Sequence, residues 1–144
     1  MDFIAKTFDE LTTAELYEIL RLRAEIFVVE QNCVYQDLDG VDYRALHILC
    51  EDGGRVIAYG RIFPDGSDQG IAHLGRVVNN KHGTGMGRKL MDACLRTARG
   101  KGYKKAVAEA QQYAIGFYKK FGFQVVSETY ILDNIPHVKM ELIL

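Results

Sequence analysis

The stretch from Leu74 to Arg99, LGRVVNNKHGTGMGRKLMDACLRTAR, constrains the chain most. An apolar strand pattern runs into alternating glycines, Gly83, Gly85 and Gly87, and a helical pattern follows at once. A glycine-rich turn at a helix start leaves backbone N–H groups free and aimed at one point, where the helix dipole favours negative charge. Arg88 and Lys89 then place two cations in the first helical turn, where the dipole alone disfavours them. A bound polyanion would reverse that sign. The stretch therefore reads either as a pyrophosphate cradle or as a glycine-rich turn with incidental charges.

The 144 residues suit one domain, 1–144, with one core. The formal charge of −1 argues against general nucleic-acid binding, which rests on excess basic charge. No apolar run reaches the ~18 residues of a membrane span, and the acidic N-terminus lacks the apolar segment of a signal peptide. Cys33, Cys50 and Cys94 are odd in number and widely spaced, which suits free thiols and a cytoplasmic location.

Taken in order, residues 2–8 read as a first strand. Thr12 and Glu15 have the spacing of a capping box, and the apolar repeat predicts a helix from about Thr13 to Val29. Arg23 interrupts its stripe, either at the edge with its head in water or pointing into a cleft. Asp37, Asp39 and Asp42 surround Gly40 without the remaining ligands of a calcium loop, so no metal is expected. They form either a polar surface loop or an acidic rim for a cationic substrate.

Residues 46–52 and 55–63 flank Gly53-Gly54 as a hairpin, and 71–79 complete an antiparallel meander. After the glycine turn, Met86, Leu90, Met91, Cys94, Leu95 and Ala98 share one helical face, and Gly100 or Gly102 ends the helix. Cys94 on that face reads as core. Residues 106–110 must run parallel to the fourth strand, because a helix joins them. A short helix over 113–123, a sixth strand over 124–132, a turn and a seventh strand over 137–144 follow. The last strand alternates, with Val138, Met140, Leu142 and Leu144 on one face, and this apolar alternation offers a strand-mediated homodimer. The order is β-α-βββ-α-β-α-ββ, an α/β fold with a mixed sheet of about seven strands.

The glycine spacing excludes two common nucleotide sites. A P-loop from Gly83 would need Gly-Lys-Ser/Thr where Arg88 begins, and a Rossmann fingerprint would need glycine at 88 or 90, where Arg88 and Leu90 stand.

His82-Gly83-Thr84-Gly85-Met86-Gly87 resembles the acetyl-CoA pyrophosphate loop of the GCN5-related N-acetyltransferase (GNAT) family, (Arg/Gln)-x-x-Gly-x-(Gly/Ala). Gln111-x-x-Ala114-x-x-Phe117-Tyr118-Lys119-Lys120-x-Gly122-Phe123 resembles that family's second signature, Asn-x-x-Ala-x-x-(Phe/Leu)-Tyr-x-x-x-Gly-Phe. Residues 22–40 and 135–140 are similar to its small bacterial ElaA/YjcF-type branch. The chain departs from the signatures at His82 and at Gln111.

The resemblance implies a GNAT-like fold with helices on both sheet faces and a splay between strands 4 and 5. It implies an acetyl-CoA-dependent N-acetyltransferase acting directly on a primary amine of a small molecule or protein, without a metal. The pyrophosphate would lie on backbone N–H groups from Gly83 through Thr84, Gly85, Met86 and Gly87 to Arg88. Pantetheine would run along Arg76, Val77 and Val78, with Gln111 and Phe117 beside it. A backbone N–H near Val78 would hold the oxyanion, and Tyr118 would protonate the leaving thiolate. Glu30, Gln31, His47, His73, Glu109 and His137 are the candidates for substrate contact or general base, each alternatively satisfying a local hydrogen bond or facing solvent, and Arg76 could bind a substrate carboxylate or pair with a nearby acid. The lack of one dominant base leaves a second reading, an acyl-CoA-binding regulatory module without transferase activity.

Overall fold

The computed structural model of the chain describes residues 2–144. One mixed sheet runs through the molecule. Its strands are β1 (Ile4–Thr7), β2 (Leu46–Asp52), β3 (Arg55–Pro64), β4 (Ile71–Asn79), β5 (Lys105–Gln111), β6 (Gln124–Val125), β7 (Tyr130–Leu132) and β8 (Ile135–Ile143). They lie in the order β1-β2-β3-β4-β5-β8-β6, with β7 also on β8. Gly53 and Gly54, both at positive φ, close the two-residue turn that joins β2 to β3.

Helices α1 (Thr13–Ala24), α2 (Met86–Gly100) and α3 (Ile115–Lys119) cover opposite faces. Ile19 and Leu22 of α1 pack with Leu49, Val56, Tyr59 and Val78. Leu90, Met91, Cys94 and Ala98 of α2 pack on the other face, with Ala106, Ala108, Tyr118, Val138 and Met140. The capping box forms: Thr12 Oγ1 accepts from the Glu15 N–H at 3.0 Å, and Glu15 Oε1 accepts from the Thr12 N–H at 2.8 Å. α2 ends in a Schellman turn, with Gly102 at φ +88 and the Tyr103 N–H donating to the Ala98 carbonyl at 3.2 Å. Among the described residues no helix is long and apolar enough to cross a membrane.

Three expected elements differ. The first helix stops being α-helical at Ala24 and continues as a π-helical turn over Glu25–Glu30, which carries Phe27 towards β4. The sixth strand breaks into β6 and β7, because Ser127 Oγ takes the Lys139 N–H at 2.8 Å in place of a backbone carbonyl. The last strand begins at Ile135. Asp133 and Asn134, both at positive φ, form the two-residue turn before it. β8 thereby lies between β5 and β6/β7, and Val138 and Met140 face the core. The apolar alternation expected to serve a dimer is used inside the fold.

Candidate active site

The sheet opens where the glycine turn begins. β4 and β5 pair in parallel only from Ile71–Lys105 to His73–Val107. Beyond that point they diverge around a cavity of about 820 Å³.

β4 also slips against β3. Tyr59 faces Val78 but Arg61 faces Gly75, so Arg76 and Val77 together oppose Gly60. Arg76 takes up the extra residue at φ +52. The slip reverses the side-chain alternation: Leu74 and Val77 pack on the α2 side, while Val78 belongs to the α1 core. The Asn80 N–H donates to the Ile57 carbonyl at 3.0 Å. Ladder alternation then turns the Val78 amide towards β3 and the Val77 and Asn79 amides into the gap. Of the amides near Val78, those of its neighbours face the gap, because the bulge shifts the phase by one.

At the helix start, Gly83 and Gly85 adopt φ +75 and +79, which a side chain would resist. Gly85 is the N-cap, and the first turn of α2 holds no acidic residue. The amides of Met86, Gly87 and Arg88 have no partner within the helix and point out of its end. Beside them Gly85, Gly87, Arg88, Phe117 and Lys120 line a second cleft, with Asp92 and Phe121. Gly87 and Phe117 line both spaces, so the cleft and the cavity meet there. Gly83 and Thr84 shape the turn outside both linings, and Met86 is buried in the core.

Tyr118 closes the cavity from the α3 side. It is buried, with the rings of Phe117 and Phe123 edge-on at 5.7 and 5.3 Å. Its hydroxyl makes no hydrogen bond among the described residues, and burial pushes its pKa well above the ordinary phenol value. Gln111 at the end of β5 also lines the cavity.

The opposite wall comes from β5, β7 and β8. His137 is 7 % exposed, and its Nδ1 lies 2.7 Å from the Ile135 carbonyl oxygen. A carbonyl only accepts, so Nδ1 carries a hydrogen and donates to it, and Nε2 has no partner among the described residues. The ring stacks on Tyr130 at 6.3 Å. Burial, then the charge of Glu109, pushes Tyr130 up to about 12. Glu109 itself is exposed in the cavity wall.

The segment 37–42 forms a third wall, and three arginines hold it there. Arg23 is completely buried; it donates from Nε to Asp37 Oδ2 and from Nη1 to Asp42 Oδ1, both at 2.8 Å. Arg61 donates from Nη1 to Asp39 Oδ1 and Asp42 Oδ1, both at 2.9 Å. Arg76 donates from Nε to Asp37 Oδ1 at 2.7 Å. Despite the cost of burying Asp39, hydrogen bonds and charge from Arg61 hold its pKa down to about 2. These carboxylates are neutralised, so they are neither a bland surface loop nor a free acidic rim. Arg23 does not reach water, and Arg76 is committed to Asp37.

Against this geometry three comparisons agree. The profile of the acetyltransferase (GNAT) domain family matches residues 13–144. The protein ElaA of Escherichia coli is 40% identical over 136 residues, covering 91% of this chain and 89% of its own. A UPF0039 protein of Schizosaccharomyces pombe is 38% identical over 147 residues, 99% of this chain and 97% of its own. Among solved structures, an acyl-CoA N-acyltransferase from Pseudomonas aeruginosa superposes with a TM-score of 0.89 at 36% identity, covering 98% of this chain and 99% of its own.

The chain belongs to the GNAT acetyltransferase family.

As a GNAT enzyme it is an N-acetyltransferase with an acyl-CoA as co-substrate. The splay and the two-faced helix cover expected from the sequence are present. The base candidates separate sharply. His47 is a correction: it is completely buried, with Nε2 2.9 Å from the Asp42 carbonyl and Nδ1 2.7 Å from the Tyr59 hydroxyl, so neither nitrogen is free. Glu30 and Gln31 lie outside the cavity lining; Glu30 faces His82 Nε2 at 3.2 Å, and Gln31 donates to the Tyr113 hydroxyl at 3.0 Å. His73 lines the cavity, but its Nε2 is bound to Asp65 at 2.7 Å and its ring stacks on Phe63 at 5.1 Å. Glu109 and His137 remain with free atoms in the cavity. Sequence reasoning missed Asn79, whose amide needs the bulge to be known, and Asp133, which reads as plain turn chemistry.

Proposed function

We propose that this chain transfers the acetyl group of acetyl-CoA directly to a primary amine of a small molecule or protein. The observation that carries the reading is the approach to one cavity from opposite faces of the sheet. Tyr118 stands with the core on the α2 and α3 face, whereas Glu109, Gln111 and His137 alternate onto the face towards α1. Donor and acceptor would therefore meet through the strand gap.

In this reading the α2 N-terminal amides, Arg88 and Lys120 hold the diphosphate, and the Val77 and Asn79 amides align the pantetheine arm and stabilise the carbonyl oxygen as charge develops. His137 Nε2 takes one proton from the substrate ammonium. The freed nitrogen bonds to the acyl carbon, the carbon–sulfur bond breaks, and Tyr118 gives its proton to the departing sulfur. The second nitrogen proton returns to Tyr118 through water, and the proton on His137 leaves to solvent. Tyr118 suits the acid role because burial keeps it protonated. The three free cysteines support a cytoplasmic location.

Mass spectrometry of an amine incubated with acetyl-CoA and enzyme tests this. An N-acetyl product is expected, with kcat lowered about a hundredfold in His137→Gln and the acetyl-CoA dissociation constant unchanged. Acetyl-CoA binding without amide product from any amine contradicts it.

A further inference from the structure

The cavity carries an excess of one charge on its acceptor side. Arg23, Arg61 and Arg76 are matched by Asp37, Asp39 and Asp42, so that wall is neutral. Glu109 and Asp133 also line the cavity, and neither has an ion-pair partner among the described residues. Lys139 is the register neighbour of Glu109 across β5 and β8, yet it forms no ion pair among the described residues and lies outside the lining. Arg44 stacks over Phe63 at 5.4 Å and is also outside it.

A second observation stands apart from these acids. His137 is 7 % exposed, its Nδ1 is bound to Ile135, and its Nε2 has no partner among the described residues while the residue lines the cavity. An unpartnered ring nitrogen open to a cavity that also holds two carboxylates without an ion-pair partner suits a group that donates several hydrogen bonds and carries positive charge. Phe27, Tyr35, Phe63, Leu132 and Ile135 add apolar and aromatic surface to the lining, alongside the uncharged amides of Gln36 and Gln111. The cations of the cavity, Arg61 and Arg76, are already engaged by aspartates.

We infer that the acceptor is a primary ammonium on an apolar or aromatic body with no carboxylate beside the amine. Glu109, on the face it shares with Gln111 and His137, holds the ammonium, Asp133 adds its charge from the β7–β8 turn, and the aromatic wall holds the body. A carboxylate on the same carbon meets two like charges and no free cation. This rests on the acetyl-transfer reading above and adds the substrate class to it.

The test uses the whole enzyme with acetyl-CoA and follows thiol release with 2-phenylethylamine, phenylalanine and glutamate as acceptors at neutral pH. Phenylethylamine is expected to exceed phenylalanine in kcat/KM by about tenfold or more, the size of one charge-assisted contact. Glu109→Gln is expected to raise the KM for phenylethylamine by about tenfold and Asp133→Asn by about threefold, both leaving the KM for acetyl-CoA unchanged. Both positions are exposed, and asparagine tolerates the positive φ of Asp133, so these variants fold; melting curves check this. Preference for phenylalanine or glutamate overturns the substrate class and leaves the transferase reading intact. So does an unmoved KM for phenylethylamine in both variants. Thiol release with no amine at all overturns both.

Discussion

Arg76 Nε donates to Asp37 Oδ1 at 2.7 Å, and Arg76 Nη2 donates to the Asp37 carbonyl at 3.0 Å. The pair joins the bulge of β4 to the segment that walls the acceptor side. Arg76 holds a left-handed backbone that costs a non-glycine residue about 1 kcal/mol, and its side-chain bonds offset that cost. Asp37 binds Arg23 with its other oxygen, so one carboxylate fixes α1, the loop and β4 together. Asp37→Ala leaves the buried Arg23 short of a counter-charge. Unfolding free energy from urea titration should fall by about 3 kcal/mol. Turnover should fall as well, because the Val77 amide follows the bulge.

His47 makes stability depend on pH. Burial lowers its pKa below the ordinary 6.5, and it is held neutral between Tyr59 and Asp42. The unfolded chain therefore binds the proton first. Stability rises as pH increases to about 6.5, is level above it, and falls as pH drops below it. Melting temperatures between pH 5 and 8 should show that break, with a shallower acid limb in His47→Gln. Asp39 adds a separate loss at lower pH. Its carboxylate contributes fully above the ordinary 3.8, and that contribution disappears as pH falls towards about 2.

Gly87 lies where the cleft meets the cavity. A Cβ there would stand 3.5 Å from Phe117 Cε1, so alanine fits, but a longer side chain must fill the groove. Gly87→Leu is expected to raise the dissociation constant for acetyl-CoA by about tenfold or more, with Gly87→Ala near wild type; calorimetric titration reads both.

Gly60 tests the packing behind the bulge. A Cβ at this position would come within 2.9 Å of Cys94 Sγ, in the core between β3 and α2. Gly60→Ala should lower stability by about 1–3 kcal/mol in urea titration. Cys94 itself stays inert, because burial pushes its thiol up to about 12.

Local chemistry made much of this molecule legible in its sequence. The capping box at Thr12 and Glu15, the left-handed glycines at 83 and 85 and the buried face of α2 each depend on residues within one or two turns. The parallel β5 follows from the helix between it and β4. What was hidden depends on distant partners. Asp37 meets an arginine 39 residues away, so no window around it distinguishes a clamped carboxylate from a free one. Likewise His47 and His137 look alike as histidines on alternating strands. Only the register with Tyr59 in one case, and the gap beside β5 in the other, separates a buried hydrogen-bond bridge from an open ring nitrogen. Which amides near Val78 face the gap was hidden for the same reason, since the extra residue at Arg76 reverses the alternation along β4.

Initial rates of thiol release from acetyl-CoA, measured against amine concentration, test the account most directly. It predicts amine-dependent, saturable release, with kcat reduced roughly a hundredfold in Tyr118→Phe and acetyl-CoA affinity unchanged. Acetyl-CoA that binds yet releases thiol at a rate indifferent to every amine, or a Tyr118→Phe variant with full turnover at saturation, would contradict it.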